Sequence, residues 1–320
     1  MIWAKFTFAA LTIAVSGTIL TIYSEKLGEK LNISGAFIGL ILLSIVSSLP
    51  ELGTTYSVIT YLGKPDLAAG NIYGSNNFNM LILGILDILL GTVSLYSLSK
   101  ASHQMSILLA VAMTIVSMAA ISAHGFGIYF GIPLDSFSIF LIYAGGIYFL
   151  YIQEKKESSS TPHKTYSSAW RELIIVILSG AIVVSAGYWL ALISDDIERA
   201  TGWGQSFIGY IFLAVTTSLP ELVIAIASIK LKAFDMAIGN TIGSCFFNIL
   251  MFSLVDPFYA KPIFEDISSA NLYPAATSLF MLALVSASLF ISHRGRKTYL
   301  TKYILLTLYI LGSSFVYFKV

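Results

Sequence analysis

The chain alternates long apolar runs with short polar connectors. A bilayer core takes about 20 apolar helical residues. Ten runs of that kind are present: 3–24, 35–61, 66–93, 103–123, 133–153, 169–193, 206–229, 234–257, 270–292 and 300–318. They are too long and too continuous for the ten-residue alternation of a membrane barrel. The expected fold class is all-α integral membrane, with ten transmembrane helices. One connector, 154–168, is clearly polar, with Glu154, Lys155, Lys156 and Glu157 ahead of three serines. It separates a first five-helix unit, 1–153, from a second, 169–320. Five spans per unit start the second unit on the opposite side of the membrane. A sequence repeated between the units then implies two inverted five-helix repeats.

Such a repeat exists. Ser44-Ile45-Val46-Ser47-Ser48-Leu49-Pro50-Glu51 aligns with Ala214-Val215-Thr216-Thr217-Ser218-Leu219-Pro220-Glu221. Farther on, Gly70-Asn71-Ile72-Tyr73-Gly74-Ser75-Asn76-Asn77-Phe78-Asn79 aligns with Gly239-Asn240-Thr241-Ile242-Gly243-Ser244-Cys245-Phe246-Phe247-Asn248. The first motif region is 44–79 and the second 214–248. The match extends to Asp87 and Asp256, each eight residues beyond the last Asn. Each copy puts a carboxylate where carboxylates are costly and a proline where a helix loses a donor.

Composition supports the membrane reading. Apolar residues make up 57% and charged residues 11% of the 320, against about 25% charged in soluble domains. The net charge of +1 gives no reason to expect nucleic-acid binding. The single cysteine, Cys245, excludes an internal disulfide and a cysteine-rich metal site, and reads as a packing residue. The four histidines are scattered, and no helical metalloprotease spacing or phosphate-binding glycine loop occurs. The first apolar run reads as a retained helix rather than a cleaved signal.

Charge distribution predicts orientation. Connectors on the N-terminal side carry Lys5, Lys64, Arg199, Lys261 and Lys319. The opposite side carries the other thirteen basic residues, among them Lys26, Lys30, Lys155, Arg294 and Lys297. The positive-inside rule makes the second side cytoplasmic. Both termini are then outside, the linker is inside, and a plasma (cell inner) membrane is the expected location. The outer connectors are acidic, with Asp66, Asp135, Asp195, Asp196, Glu198, Glu265 and Asp266, which reads either as a mouth that concentrates cations or as ordinary solvated loop charge.

The motif chemistry points to hard cations, which prefer oxygen ligands. Ser47 and Ser48 precede Glu51 by four and three residues and share its helical face, as do Thr217 and Ser218 with Glu221. Ser75 with Asn79 and Ser244 with Asn248 are spaced i, i+4. Pro50 and Pro220 cannot donate to the carbonyls of Val46 and Thr216, which frees backbone oxygen at mid-membrane. Only Glu51 and Glu221 lie near mid-span, without Lys or Arg at that depth. Two carboxylates balance one divalent cation, and several monovalent cations or protons could replace it. That is what an exchanger requires. Asn71, Asn240, Asp87 and Asp256 read as structural, and Asn76 and Asn77 are left open between packing and binding.

These residues resemble the cation/calcium exchanger superfamily, particularly its sodium/calcium exchanger branch, over the whole chain. The resemblance implies four central cation positions lined by the two motifs. Glu51 and Glu221 would be the calcium carboxylates. Ser47, Ser48, Thr217 and Ser218 would supply oxygens mainly to sodium, Ser75 and Ser244 the outer positions, Asn79 and Asn248 the middle, and the carbonyls of Ser44 and Ala214 further sodium ligands. There are departures. Val46 and Thr216 stand where the family usually has glycine, Ser47 where Thr is common, and Asn248 where many relatives carry Asp.

The resulting expectation is a secondary antiporter exchanging Ca²⁺ for Na⁺ by alternating access. The long helices 1 and 6 would slide against a core of helices 2, 3, 7 and 8. The resemblance implies three Na⁺ per Ca²⁺, hence one net charge inward and about 2.3 kcal/mol per 100 mV. The partners are the transported ions and the lipid bilayer. No cofactor and no enzymatic activity are expected. The alternatives are a proton-coupled divalent antiporter, a passive cation channel, and an intramembrane enzyme, for which no nucleophile–base pair is present. Oligomeric state is not readable.

Overall fold

The computed structural model describes residues 2–30, 41, 43–91, 93–98, 103–157, 169–230, 232–294 and 298–319. It is a helical assembly. The helices are α1 (Ile2–Lys30), α2 (Ser44–Ser47), α3 (Leu49–Ser57), α4 (Pro65–Leu89), α5 (His103–Ala123), α6 (Leu134–Glu157), α7 (Trp170–Thr201), α8 (Gln205–Ile208), α9 (Ala214–Thr217), α10 (Leu219–Lys230), α11 (Phe234–Val255), α12 (Leu272–His293) and α13 (Thr301–Lys319). A short antiparallel hairpin, β1 (Ile128–Tyr129) with β2 (Ile132–Pro133), joins α5 to α6.

Among the described residues, seven helices are long and apolar enough to cross a membrane, and the pair 205–217 and 219–230, bent by 44°, adds an eighth. The two other expected spans have separate explanations. The run 35–61 includes residues outside the described ones. The run 66–93 is the continuous helix α4, but Asn71, Ser75, Asn76, Asn77 and Asn79 lower its hydropathy, and all five are buried. A helix enclosed by protein need not be apolar all round.

Several boundaries also move. Helix α7 runs to Thr201, past the expected end at 193, because Asp195, Asp196 and Glu198 extend it as a charged turn with Gly202 closing it in the left-handed conformation. Helix α6 continues through Glu157 into the expected linker, where Glu and Lys retain good helix propensity. Residues 158–168 lie outside the described residues.

Helices α4 and α11 cross at the centre and are the most enclosed of the long helices. A wide π-helical turn, Gly209–Leu213, packs on α4. Close approach there depends on glycine: a Cβ at Gly70 would lie 2.5 Å from the Ser206 carbonyl oxygen, and one at Gly74 would lie 2.5 Å from that of Tyr210. Helices α5, α12 and α13 pack against this centre on one side. On the other, α1 and α7 lie along each other and against α10 and α3 respectively. Two of the four tryptophans, Trp3 and Trp203, meet Phe6, Phe207 and Phe212 in an aromatic cluster where α1 reaches the start of the broken span.

Candidate cation site

The two Ser-Leu-Pro-Glu peptides break their helices in the same way. Ser48 sits at φ −87°, ψ 10° between α2 and α3, and Ser218 at φ −86°, ψ 10° between α9 and α10. The proline ring occupies the second position of each new helix, where its missing N–H costs nothing. The backbone N–H of Ser48 donates to the Ser44 carbonyl at 3.1 Å and that of Ser218 to the Ala214 carbonyl at 3.0 Å. The break aims the following glutamate inward at the end of a short helix rather than along the side of a long one.

All twelve residues singled out by the motifs are buried: Ser44, Ser47, Ser48, Glu51, Ser75, Asn79, Ala214, Thr217, Ser218, Glu221, Ser244 and Asn248. The glutamates are joined crosswise. Ser218 Oγ, from the second half, donates to Glu51 Oε1 at 2.7 Å, and Ser48 Oγ, from the first, donates to Glu221 Oε1 at 3.1 Å. Ser244 Oγ also approaches Glu221 Oε1 at 3.4 Å and Ser47 Oγ at 3.4 Å.

The remaining oxygens divide into two groups. Ser44 Oγ donates to the Ile41 carbonyl at 3.1 Å, and Thr217 Oγ1 to those of Leu213 and Ala214 at 3.0 and 3.3 Å. In contrast, Glu51 Oε2, Glu221 Oε2, Ser75 Oγ, Asn79 Oδ1 and Asn248 Oδ1 accept no hydrogen bond among the described residues although buried. Leaving polar atoms bare in an interior costs about 1–3 kcal/mol each. The bare oxygens, two of them on carboxylates, are of the kind a hard cation takes, and the amide nitrogens of Asn79 and Asn240 are bare beside them. Among the described residues no cluster of three or more His, Cys, Asp or Glu side chains could hold a metal, so hydroxyl and amide oxygens would have to complete such a shell.

The structure also places the residues left open or read as structural. Asn76 accepts from Asn248 Nδ2 at 3.0 Å and donates to the Cys245 carbonyl at 3.3 Å, so it fixes the Asn248 amide with its oxygen turned away from that bond. Asn240 Oδ1 accepts from Ser47 Oγ at 3.3 Å, which ties it to the cluster more directly than a purely structural reading expects. Asn71 binds Thr55 Oγ1 at 2.9 Å and the Glu51 carbonyl at 3.4 Å. Asn77 turns to the Tyr210 hydroxyl and the Pro274 carbonyl. Asp87 and Asp256 accept backbone N–H groups of Leu95 and Ile263 at 2.6 and 2.7 Å, away from the glutamates. The part of Asn76 had no signature in the sequence beyond its place one residue after Ser75.

Known proteins resemble this chain in sequence and in fold. Residues 1–152 and 171–318 match the family described as sodium/calcium exchanger protein. The chain is 26% identical over 87% of its length, and 88% of the relative's, to a putative antiporter CaxA from Alkalimonas amylolytica. It superposes on the sodium-calcium exchanger NCX_Mj with a TM-score of 0.67 at 23% identity, covering 98% of this chain and 99% of that one. It superposes on an H⁺/Ca²⁺ exchanger, CAX, with a TM-score of 0.70 at 16% identity, covering 99% and 87%. A family match across both halves and a shared fold place this chain in the sodium/calcium exchanger protein family, whose members are membrane exchangers.

Proposed function

We propose that this chain is a Na⁺/Ca²⁺ antiporter, not an enzyme, working by alternating access in the plasma (cell inner) membrane. Ca²⁺ would bind between Glu51 and Glu221, with Asn79 and Asn248 completing its shell. Na⁺ would use Ser47, Ser48, Thr217, Ser218, Ser75, Ser244 and the carbonyls of Ser44 and Ala214. The observation that carries this reading is the crosswise pair of hydrogen bonds, Ser218 to Glu51 and Ser48 to Glu221. Each half holds the other's carboxylate, so a change in how the halves meet changes the site itself.

In this reading there are ten spans in two inverted repeats, 1–153 and 169–320, joined by the cytoplasmic linker 154–168, with both termini outside. The polar helix α4 and the broken spans supply the core. Helices α1 and α7, of 29 and 32 residues, are the sliding pair. Three Na⁺ per Ca²⁺ would make transport electrogenic.

Proton coupling is the second reading. It is favoured by asparagine at both 79 and 248, which leaves two carboxylates in the cluster, and by the equally close fold likeness to the H⁺/Ca²⁺ exchanger. Radiolabelled Ca²⁺ uptake into Na⁺-loaded proteoliposomes, with and without a proton ionophore, separates the two. Uptake that needs internal Na⁺ and survives the ionophore is expected. Uptake driven by a pH gradient without Na⁺ would replace Na⁺ with H⁺ as the coupling ion.

A further inference from the structure

A cleft of about 450 Å³ lies between the 128–133 hairpin, the first turns of α6, and the 256–262 connector. It is far from the glutamates in sequence and shares no residue with the motif cluster. Its lining includes two nearly fully buried polar side chains, Ser136 and Asp256, at 6% and 5% exposure. Asp256 Oδ1 takes the Ile263 N–H, while Asp256 Oδ2 and Ser136 Oγ, near enough to interact with each other, make no further hydrogen bond among the described residues. The neighbouring Asp135 is committed, accepting the N–H groups of Phe126 at 3.0 Å and Ser136 at 2.7 Å. Asp135 and Glu265 add negative charge around Asp256. Lys261, also lining the cleft, pairs with Asp266 at 2.8 Å and is half exposed.

The rest of the lining is largely apolar and exposed. Ile128, Ile132, Phe137 and Phe140 belong to it and are 42–57% exposed. Phe137 and Phe140 share one face of α6. Phe140 lies seven residues beyond Pro133, about 10 Å down the helix at 1.5 Å per residue. In a membrane helix that direction leads from the interface into hydrocarbon. At the hairpin tip Tyr129 and Phe130 are exposed as well, and aromatic side chains favour the headgroup level.

A bare metal ion fits this cleft poorly: one free carboxylate oxygen and one hydroxyl fall short of the six to eight oxygens that Ca²⁺ takes. An amphiphile with a cationic, N–H-bearing head fits both the polar and the apolar lining. We propose that the cleft binds an ammonium-headed phospholipid, its ammonium donating to Asp256 Oδ2 and Ser136 Oγ, its phosphate facing Lys261, and an acyl chain lying over Phe137 and Phe140. A choline head cannot make the same contacts, because its methylated nitrogen has no N–H.

Native mass spectrometry of the full-length protein released from detergent, titrated with phosphatidylethanolamine, phosphatidylcholine and phosphatidylglycerol of identical chains, tests this. One phosphatidylethanolamine should be retained about tenfold more tightly than phosphatidylcholine, the scale of one charge-assisted hydrogen bond. Asp256→Asn keeps an oxygen for the Ile263 N–H while removing the charge, and should erase that preference. Ser136→Ala should reduce it severalfold, and serves as the independent variant if Asp256→Asn fails to fold. Equal retention of the ethanolamine and choline lipids, or an unchanged preference in Ser136→Ala and in folded Asp256→Asn, would overturn the proposal. So would retention of phosphatidylglycerol as tight as that of phosphatidylethanolamine, which would mean that only the phosphate is read.

Discussion

At the scale of single residues, the candidate site is an exchange of hydroxyls between halves. Ser218 serves Glu51 and Ser48 serves Glu221. A hydrogen bond to a charged group is worth about 1.5–3 kcal/mol, so each serine does much to fix where its carboxylate points. We expect Ser48→Ala and Ser218→Ala each to weaken the apparent Ca²⁺ affinity of transport by about tenfold, and by similar factors, because the two contacts are reciprocal. Flux measured against Ca²⁺ concentration checks this, and a silent member of the pair would contradict it. Asn76 acts one step back. It holds the Asn248 nitrogen, so Asn76→Ala should free that amide to rotate and lower Ca²⁺ affinity severalfold, about 1 kcal/mol, although Asn76 is not a proposed ligand. Most of the twelve motif residues are marked in the sequence by duplication, and Ser44 and Ala214 only by the family resemblance. Asn76 is marked by neither, since its repeat partner is Cys245 and repetition carries no signal where the copies differ.

At the scale of elements, the apolar runs mark most of the long helices, α11 at the candidate site among them, but not where the helices beside it break. Helix α5 has the same limits, 103–123, in the apolar run and in the fold. The second broken span needed its proline to be read, because the run 206–229 looks continuous by hydropathy alone. Neither π-helical turn, Val58–Leu62 or Gly209–Leu213, has a recognisable sequence signal. The 128–133 hairpin was also not expected. Its Gly127 and Gly131 adopt the left-handed conformation, and so does Phe130 between them. Close packing leads to a contrast between two glycines. A methyl at Gly74 would lie 2.5 Å from backbone oxygen and 2.7 Å from Ala214 Cβ, whereas one at Gly145 in α6 would meet nothing within 4 Å. Gly74→Ala should therefore destabilise the protein by about 1–3 kcal/mol through overpacking. Gly145→Ala should be neutral or slightly stabilising, by up to about 1 kcal/mol, through helix propensity. Thermal unfolding in detergent reads both, and equal shifts would contradict the packing described. Gly17 of α1 is similarly constrained, since its Cβ would lie 2.5 Å from Pro220 Cγ, so α1 rests on the ring that breaks the opposite span.

At the scale of the whole molecule, the proposed motion needs α1 and α7 to shift against the core, and one ion-pair cluster ties α7 to the start of α4 in this conformation. Lys64, just before α4, pairs with Asp195 and with Glu198 at 2.5 Å, both on α7. Burial pulls the Lys64 ammonium down, but the hydrogen bonds to Asp195 and Glu198 outweigh it and leave it raised above its ordinary value. A raised folded value means stability that is fully present below the unfolded lysine value of about 10.4 and is lost as pH rises through the higher folded value. The difference in unfolding temperature between wild type and Lys64→Met should thus be constant near neutrality and should shrink only above about pH 10. A difference that vanished between pH 6 and 8 would point to another origin. Asp266 behaves oppositely. Its hydrogen bond from Lys261 holds it below the ordinary carboxylate range, so that contribution is present above about pH 4 and fades as pH falls through the lowered folded value.

The central claim is that the buried pair Glu51 and Glu221 carries the transported Ca²⁺. Its most direct test is Na⁺-gradient-driven uptake of radiolabelled Ca²⁺ by the wild type, Glu51→Gln and Glu221→Gln reconstituted at equal density. Glutamine preserves shape and removes one of the two charges that balance a divalent cation. We expect either substitution alone to reduce uptake to the level of protein-free vesicles, with the folded protein still monodisperse. Wild-type uptake in either variant would show that Ca²⁺ crosses without that carboxylate, and would contradict the account.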